Sequence, residues 1–306
     1  MTWFLMALAG PLAYAITCHL DRFLLEKYFD AGGVGALVVM SLLMSLLAAP
    51  IIYLFDPSVL EIGPVNIVIM AFVGVLNLGV IGFYLLALQD DEASVVSLYY
   101  QLVPVFALVL GYVVLGEVLT TVQLVAMAII LVGTGIVSIE IEARQISRFR
   151  IQTMVYMCLA ATCWAGQLTL FKLVALEANV WRTLFWEHVA LFGLGLLIYA
   201  FLPRMRSQLQ AAWRENSSKM MRLNIASEGL AIAASAVVSF ALLMAPIAMV
   251  MLAESFQAIL VFVVGLILTV LFPKLSSEDI RISSLAQKII ALGVSGSGTA
   301  LLLMKS

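Results

Sequence analysis

Long apolar runs alternate with brief polar breaks along the whole chain. Ten runs reach the roughly 20 residues that a helix needs to cross a bilayer, at about 3–25, 34–55, 66–88, 93–115, 119–139, 151–173, 180–202, 223–244, 247–271 and 285–304. Each is read as α-helix, because lipid offers the backbone no hydrogen-bonding partner and the segment must satisfy its own. Most breaks are very short, as from Gln89 to Glu92, from Gly116 to Thr120 and at Ala245-Pro246. Spans joined so tightly are antiparallel neighbours. The connection 203–222 is longer, with Leu202, Met205, Leu209, Ala212 and Trp213 at helical spacing between Arg and Gln. This predicts a short helix lying on the bilayer surface, and 273–288 repeats the pattern more weakly.

The stretch "QDDEASVVSLYYQLVPVFALVLGYVVLGE" (89–117) carries the most local detail. Asp90, Asp91 and Glu92 stand where a helix begins, where carboxylates favour the positive end of the helix dipole, and are expected to form a solvated turn. Pro104 falls mid-span, removing one backbone hydrogen bond and kinking the helix. Gly116 ends the span, and Thr120 to Gln123 has the spacing of a capping box for the next. A similar outline returns at 242–273. Ten spans divide into five plus five, and an odd number per half inverts the second half relative to the first. The expected division is 1–142 and 150–306, each a five-helix repeat. Aligning "GPLAYAITCHLDR" with "AATCWAGQLTLFK" then pairs Tyr14 with Trp164 and Arg22 with Lys172.

Composition agrees with an integral membrane protein: apolar residues make up 64% of the chain and charged residues 11%. A net charge of −2 with sparse cations leaves no basic stripe for nucleic acid. The two histidines and the three cysteines (Cys18, Cys158, Cys163) lack metal-ligand spacing. No nucleotide-binding, zinc-protease or nucleophile-elbow motif occurs, so neither cofactor nor metal is expected. The first Lys or Arg is Arg22, whereas a cleavable signal peptide opens on a basic segment, so the N-terminal run is counted as the first span.

The segments "FYLLALQDDEASVVSLYYQLVPVFALVLGYVVLGE" and "LTTVQLVAMAIILVGTGIV" (83–137), the degenerate copy from Ser239 to Phe272 and the helix ending "HLDRFLLEKYF" resemble the drug/metabolite transporter superfamily, specifically its ten-helix EamA-like permeases. The resemblance implies two inverted five-helix halves around a central cavity lined by helices 1, 3, 4, 6, 8 and 9. It also implies alternating access, with substrates among amino acids, drugs, nucleotide sugars and other metabolites. Two features depart from the family pattern. "LFPK" stands where relatives end the second copy on Gly-Glu, and Ala258 stands where the first copy has Pro104.

An ionisable group within hydrocarbon costs a few kcal/mol and is therefore a candidate for function. Glu254 lies about 10 Å inside its span, with Gln257 at i+3 and Gly265 continuing the face, as Tyr100 and Gly111 do in the first half. Glu187 and His188 lie as deep on the seventh span, which the family picture makes peripheral, and a structural role is expected for them. On the first span His19, Arg22 and Glu26 share a face while Asp21 points elsewhere. If the helix continues to Tyr28, these groups lie below the headgroups, and His19, Asp21, Arg22 and Glu228 can form one gate. Glu254 and Lys172 would form its inverted counterpart. Tyr14, Trp164, Tyr99 and Tyr100 suit either packing or clasping a cationic ligand. Gln101 and Gln167 are amides that need partners in lipid.

The odd-numbered connections hold Lys27, Arg144, Arg148, Arg150, Arg204, Arg206, Arg214, Lys219, Arg222, Lys274 and Arg281. The even-numbered ones and the C-terminus hold Lys172, Arg182 and Lys305. Cations mark the cytoplasmic side, which places both termini outside, against the family's habit of cytoplasmic termini. The reading is a secondary transporter in the inner membrane, exporting a small polar or amphipathic organic metabolite, with proton coupling through Glu254. Its partners are the bilayer and a small-molecule substrate; a homodimer is left open. The alternatives are a flippase for a lipid-linked substrate and a non-transporting scaffold or sensor. An intramembrane enzyme lacks a nucleophile and base at reactive spacing.

Overall fold

The computed structural model describes residues 2–28, 34–115, 120–137, 139–142, 145–244, 247, 250–251, 256–271 and 281–303. Among them the fold is nearly all helix. In chain order the helices are α1 (Thr2–Tyr28), α2 (Val34–Phe55) and α3 (Pro64–Asp90), then α4 (Ala93–Tyr99), α5 (Val103–Leu115), α6 (Thr121–Val137), α7 (Ile151–Ala178), α8 (Val180–Phe201), α9 (Pro203–Met244), α10 (Phe256–Leu271) and α11 (Ile282–Leu303). A small antiparallel hairpin, β1 (Ile139–Glu142) with β2 (Gln145–Phe149), joins α6 to α7, where the apolar pattern had indicated no strand. Every apolar run read from the sequence contains a helix. Among the described residues six are long and apolar enough to cross a membrane: α1, α2, α3, α7, α8 and the part Ser218–Met244 of α9.

Packing suits lipid outside and small residues within. Ala15, Ala36, Ala87, Ala160, Ala161 and Ala165 are wholly buried, whereas Leu54 is 81% and Phe201 76% exposed. Small side chains let helix backbones approach, and the bulky apolar ones face hydrocarbon at no cost. At Gly133 of α6 an added Cβ would lie 2.0 Å from Ser295 Oγ of α11, so only glycine fits that contact.

Three local expectations have clear outcomes. Pro104 does interrupt its span: α4 and α5 are joined through a 3₁₀ turn, Tyr100–Leu102. The missing N–H of Pro104 leaves the Tyr100 carbonyl without its i+4 donor. The connection 203–222 is not a separate surface helix, because α9 runs unbroken for 42 residues, about 63 Å. Positions 204–228 contain neither Gly nor Pro and are rich in Arg, Gln, Ala and Met, so nothing stops the helix. Leu209 and Ala212 turn inward to the core, and Met205 packs on Gly35. In the acidic turn 90–92 Asp90 is exposed as expected, whereas Asp91 and Glu92 form a tie. Asp91 pairs with Arg150 (3.2 Å) and accepts from Thr153 Oγ1 (2.6 Å). Its carbonyl accepts from Arg22 (2.9 Å), and Glu92 pairs with Lys288 of α11.

The other end of α3 is tied as firmly. Asp56 accepts from the Ser58 backbone N–H (2.9 Å), from Ser58 Oγ (2.6 Å) and from Asn179 Nδ2 (3.2 Å). Arg182 donates to Ser58 Oγ (2.9 Å) and Glu61 (3.3 Å), and Trp186 Nε1 donates to the Val59 carbonyl (2.8 Å). Phe55 stacks on Trp181, whose ring meets Phe240 edge-on at 5.0 Å. Asn179 has φ 112°, a conformation costly for any side chain, and its Oδ1 compensates by accepting the Arg182 N–H.

Candidate functional site

Between the two ties lies a cavity of ≈ 230 Å³ walled by α1, α2, α3, the 3₁₀ turn, α7, α8, α9 and α10. Its polar groups fall into two clusters. In the first, Asp21 of α1 accepts from Ser227 Oγ of α9 at 2.9 Å and from the Tyr84 hydroxyl of α3 at 3.2 Å. The next residue of α9, Glu228, is hydrogen-bonded to Ser41 of α2 and lies within electrostatic reach of Asp21. In the second, Glu187 of α8 accepts at Oε1 from Gln167 Nε2 of α7 (2.8 Å) and Asn77 Nδ2 of α3 (3.2 Å). His188 beside it donates from Nδ1 to the Leu184 carbonyl at 2.8 Å, since a carbonyl can only accept. In the neutral ring this makes Nε2 the free acceptor.

Aromatic rings stand along the same wall. Trp164 meets Tyr100 edge-on at 5.1 Å and Tyr14 at 6.5 Å, and Tyr100 meets Tyr84 at 5.9 Å. Gln257 of α10 also lines the cavity, and its Oε1 is buried without a hydrogen-bond partner. Among the described residues three carboxylates, one histidine and no Lys or Arg line the space.

The candidates drawn from the sequence divide by location. Tyr14, Asp21, Tyr100, Trp164, Gln167, Glu228 and Gln257 line the cavity. His19, Arg22, Gln101 and Lys172 are not part of that lining. His19 donates from Nε2 to the Val261 carbonyl of α10 at 2.9 Å, and Arg22 pairs with Glu26 at 2.7 Å in the turn 90–92 tie. Gln101 is buried with its Oε1 unpartnered. The helix does continue to Tyr28, yet the cluster of His19, Asp21, Arg22 and Glu228 splits. Asp21 is about 200° around the helix from His19 and about 100° from Arg22, so of these three the cavity takes Asp21, beside Glu228. Glu254 lies outside the described residues.

Glu187 and His188 belong to the cavity and not to a peripheral helix. The second and seventh spans line it as well as those the family picture supplies, because α8 packs between α3 and α9. A carboxylate in an apolar helix was the signal for Glu187. Asn77 carried the same kind of signal, a polar amide in mid-span. Ser41, Ser227 and Tyr84 gave none, since hydroxyls are common in such helices.

A polar-lined cavity between apolar helices is the kind of place where a small molecule binds. Residues 1–139 match the model of the EamA-like transporter family. The first part of the chain is thus similar to EamA-like transporters, and the six helices long and apolar enough to cross a membrane agree with a multi-pass membrane protein. None of the curated proteins matches the chain. A solved crystal structure, described only as that of a protein, is similar with a TM-score of 0.56 and 15% identity, covering 97% of this chain and 96% of its own. That likeness is one of fold alone.

Proposed function

We propose that the protein is a secondary transporter that exports a small organic cation across the inner membrane by alternating access, in exchange for protons. The observation that carries this reading is the lining: Asp21, Glu228 and Glu187 with five aromatic rings, and no Lys or Arg among the described lining residues. Carboxylates supply charge to an ammonium group, and the faces of Trp164, Tyr100, Tyr84 and Tyr14 supply cation–π attraction worth about 0.5–2 kcal/mol each. A proton and a cation compete for the same carboxylates, which is the elementary requirement of exchange. The titratable groups facing that competition are Asp21, Glu228, Glu187, His188 and the three tyrosines.

Two inverted halves, 1–142 and 150–306, would rock about this cavity, with the tie at 56–61 and the tie at 90–92 opening in turn. Both ties join a residue of the first half to one of the second, as Arg182 with Glu61 and Arg150 with Asp91 do. A scaffold would be expected to have a collapsed apolar interior, which the polar lining speaks against.

The test is ligand-dependent thermal stabilisation of the detergent-purified protein with alkylamines, quaternary ammonium ions, neutral sugars and carboxylic acids. Stabilisation by the cations alone, weaker at lower pH and at least tenfold weaker in affinity for Asp21→Asn, is expected. Equal stabilisation by sugars or acids would sink the organic-cation reading.

A further inference from the structure

The cavity holds two carboxylate clusters, and helix α3 sets the distance between them. Its Asn77 holds Glu187 and its Tyr84 holds Asp21. These anchors are seven residues apart, two turns on one face, or about 10 Å along the axis. Between them, Val80 and Ile81 present an apolar strip to the same cavity. The wall therefore reads acid, hydrocarbon, acid. A ligand with one positive end reaches only one of the two clusters and leaves the other to be neutralised by protons alone.

Gln257 adds an observation independent of the acids. Its side chain is 3% exposed and lines the cavity, and its buried Oε1 has no partner. A carbonyl oxygen only accepts, so the ligand that satisfies it must bring an N–H or O–H donor.

We infer that the substrate is a linear diamine, one ammonium held at Asp21 and Glu228 and the other at Glu187, with the methylene chain against Val80 and Ile81. Each nitrogen sits about 2.8 Å from its carboxylate. With those contacts taken from the two-turn offset of the anchors on α3, a short chain of methylene groups fits between the nitrogens. An ammonium has three donors: the carboxylate takes one, and Gln257 and His188 are further polar residues of the lining. This inference rests on the organic-cation reading and narrows it.

The experiment compares 1,5-diaminopentane with n-pentylamine, molecules of equal chain length and one or two charges, by direct binding to the full-length protein in detergent. Wild type is expected to bind the diamine at least tenfold more tightly. In Glu187→Gln that preference should collapse toward one through loss of diamine affinity, with pentylamine binding still measurable and so reporting a folded cavity. Glu187→Asp keeps the charge on a shorter arm and should keep the preference, with 1,6-diaminohexane gaining on 1,5-diaminopentane. Equal binding of the two amines by wild type, or an undiminished preference in Glu187→Gln, overturns the diamine inference and leaves the organic-cation reading standing. Failure of wild type to bind either amine overturns both.

Discussion

At the scale of single residues, the candidate site depends on charges placed where water is scarce. Trp164 is its aromatic centre, in contact with both Tyr14 and Tyr100. Replacing it by Leu keeps the apolar volume but removes the ring face. Loss of about 0.5–2 kcal/mol of cation–π attraction should raise the dissociation constant of a bound amine between about twofold and thirtyfold. A change confined to neutral ligands, measured by the same titration, would assign Trp164 to packing. The sequence pointed to Asp21, Glu228, Gln167 and Gln257, because polar groups in apolar helices are expensive and few. It could not point to Ser41, Ser227 or Tyr84, whose hydroxyls become informative only once Asp21 and Glu228 are seen beside them. Nor could it separate His19 from Asp21 by role. That depended on which neighbour each helix face met, and the Val261 carbonyl met His19.

At the scale of elements, the turns are where the pattern was least informative. Turn 56–61 holds Asp56, whose bonds from the Ser58 hydroxyl, then from Asn179 and the Ser58 N–H, keep its carboxyl below the usual range. Those donors favour the ionised form, so the folded value lies below the unfolded one of about 3.9. The stabilisation is thus fully present above that unfolded value and is lost as pH falls through the folded one. Melting curves of wild type and Asp56→Asn should therefore differ at neutral pH and converge on acidification below about pH 4. A gap unchanged by acid would show that the ionised carboxylate does not secure this turn. The acidic residues at 90–92 resemble a solvated turn in sequence, since their partners Arg150 and Lys288 are distant along the chain. The continuity of α9 was more accessible to sequence reasoning: Arg- and Gln-rich segments without Gly or Pro do not end helices, even where they leave the bilayer.

At the scale of the whole molecule, hydropathy fixes the number of apolar runs, and the charge bias points to an orientation. The basic residues gather at the end that carries turn 90–92, and this predicts both termini on the outer side. A reporter fused after Ser306 that functions only outside the cytoplasm should be active, and a reporter that functions only in the cytosol should stay dark. The opposite pair of results would reverse the orientation and make the tie at 56–61 the cytoplasmic one. The sequence alone determined that the chain is a helical membrane protein with an interrupted fourth span, because bilayer thickness and the missing proline N–H act on local stretches. Only the tertiary structure decided that Glu187, His188 and Asn77 join the cavity and that His19 and Arg22 lie apart from it. Which helix faces meet depends on packing between segments over a hundred residues apart, and no local pattern encodes that.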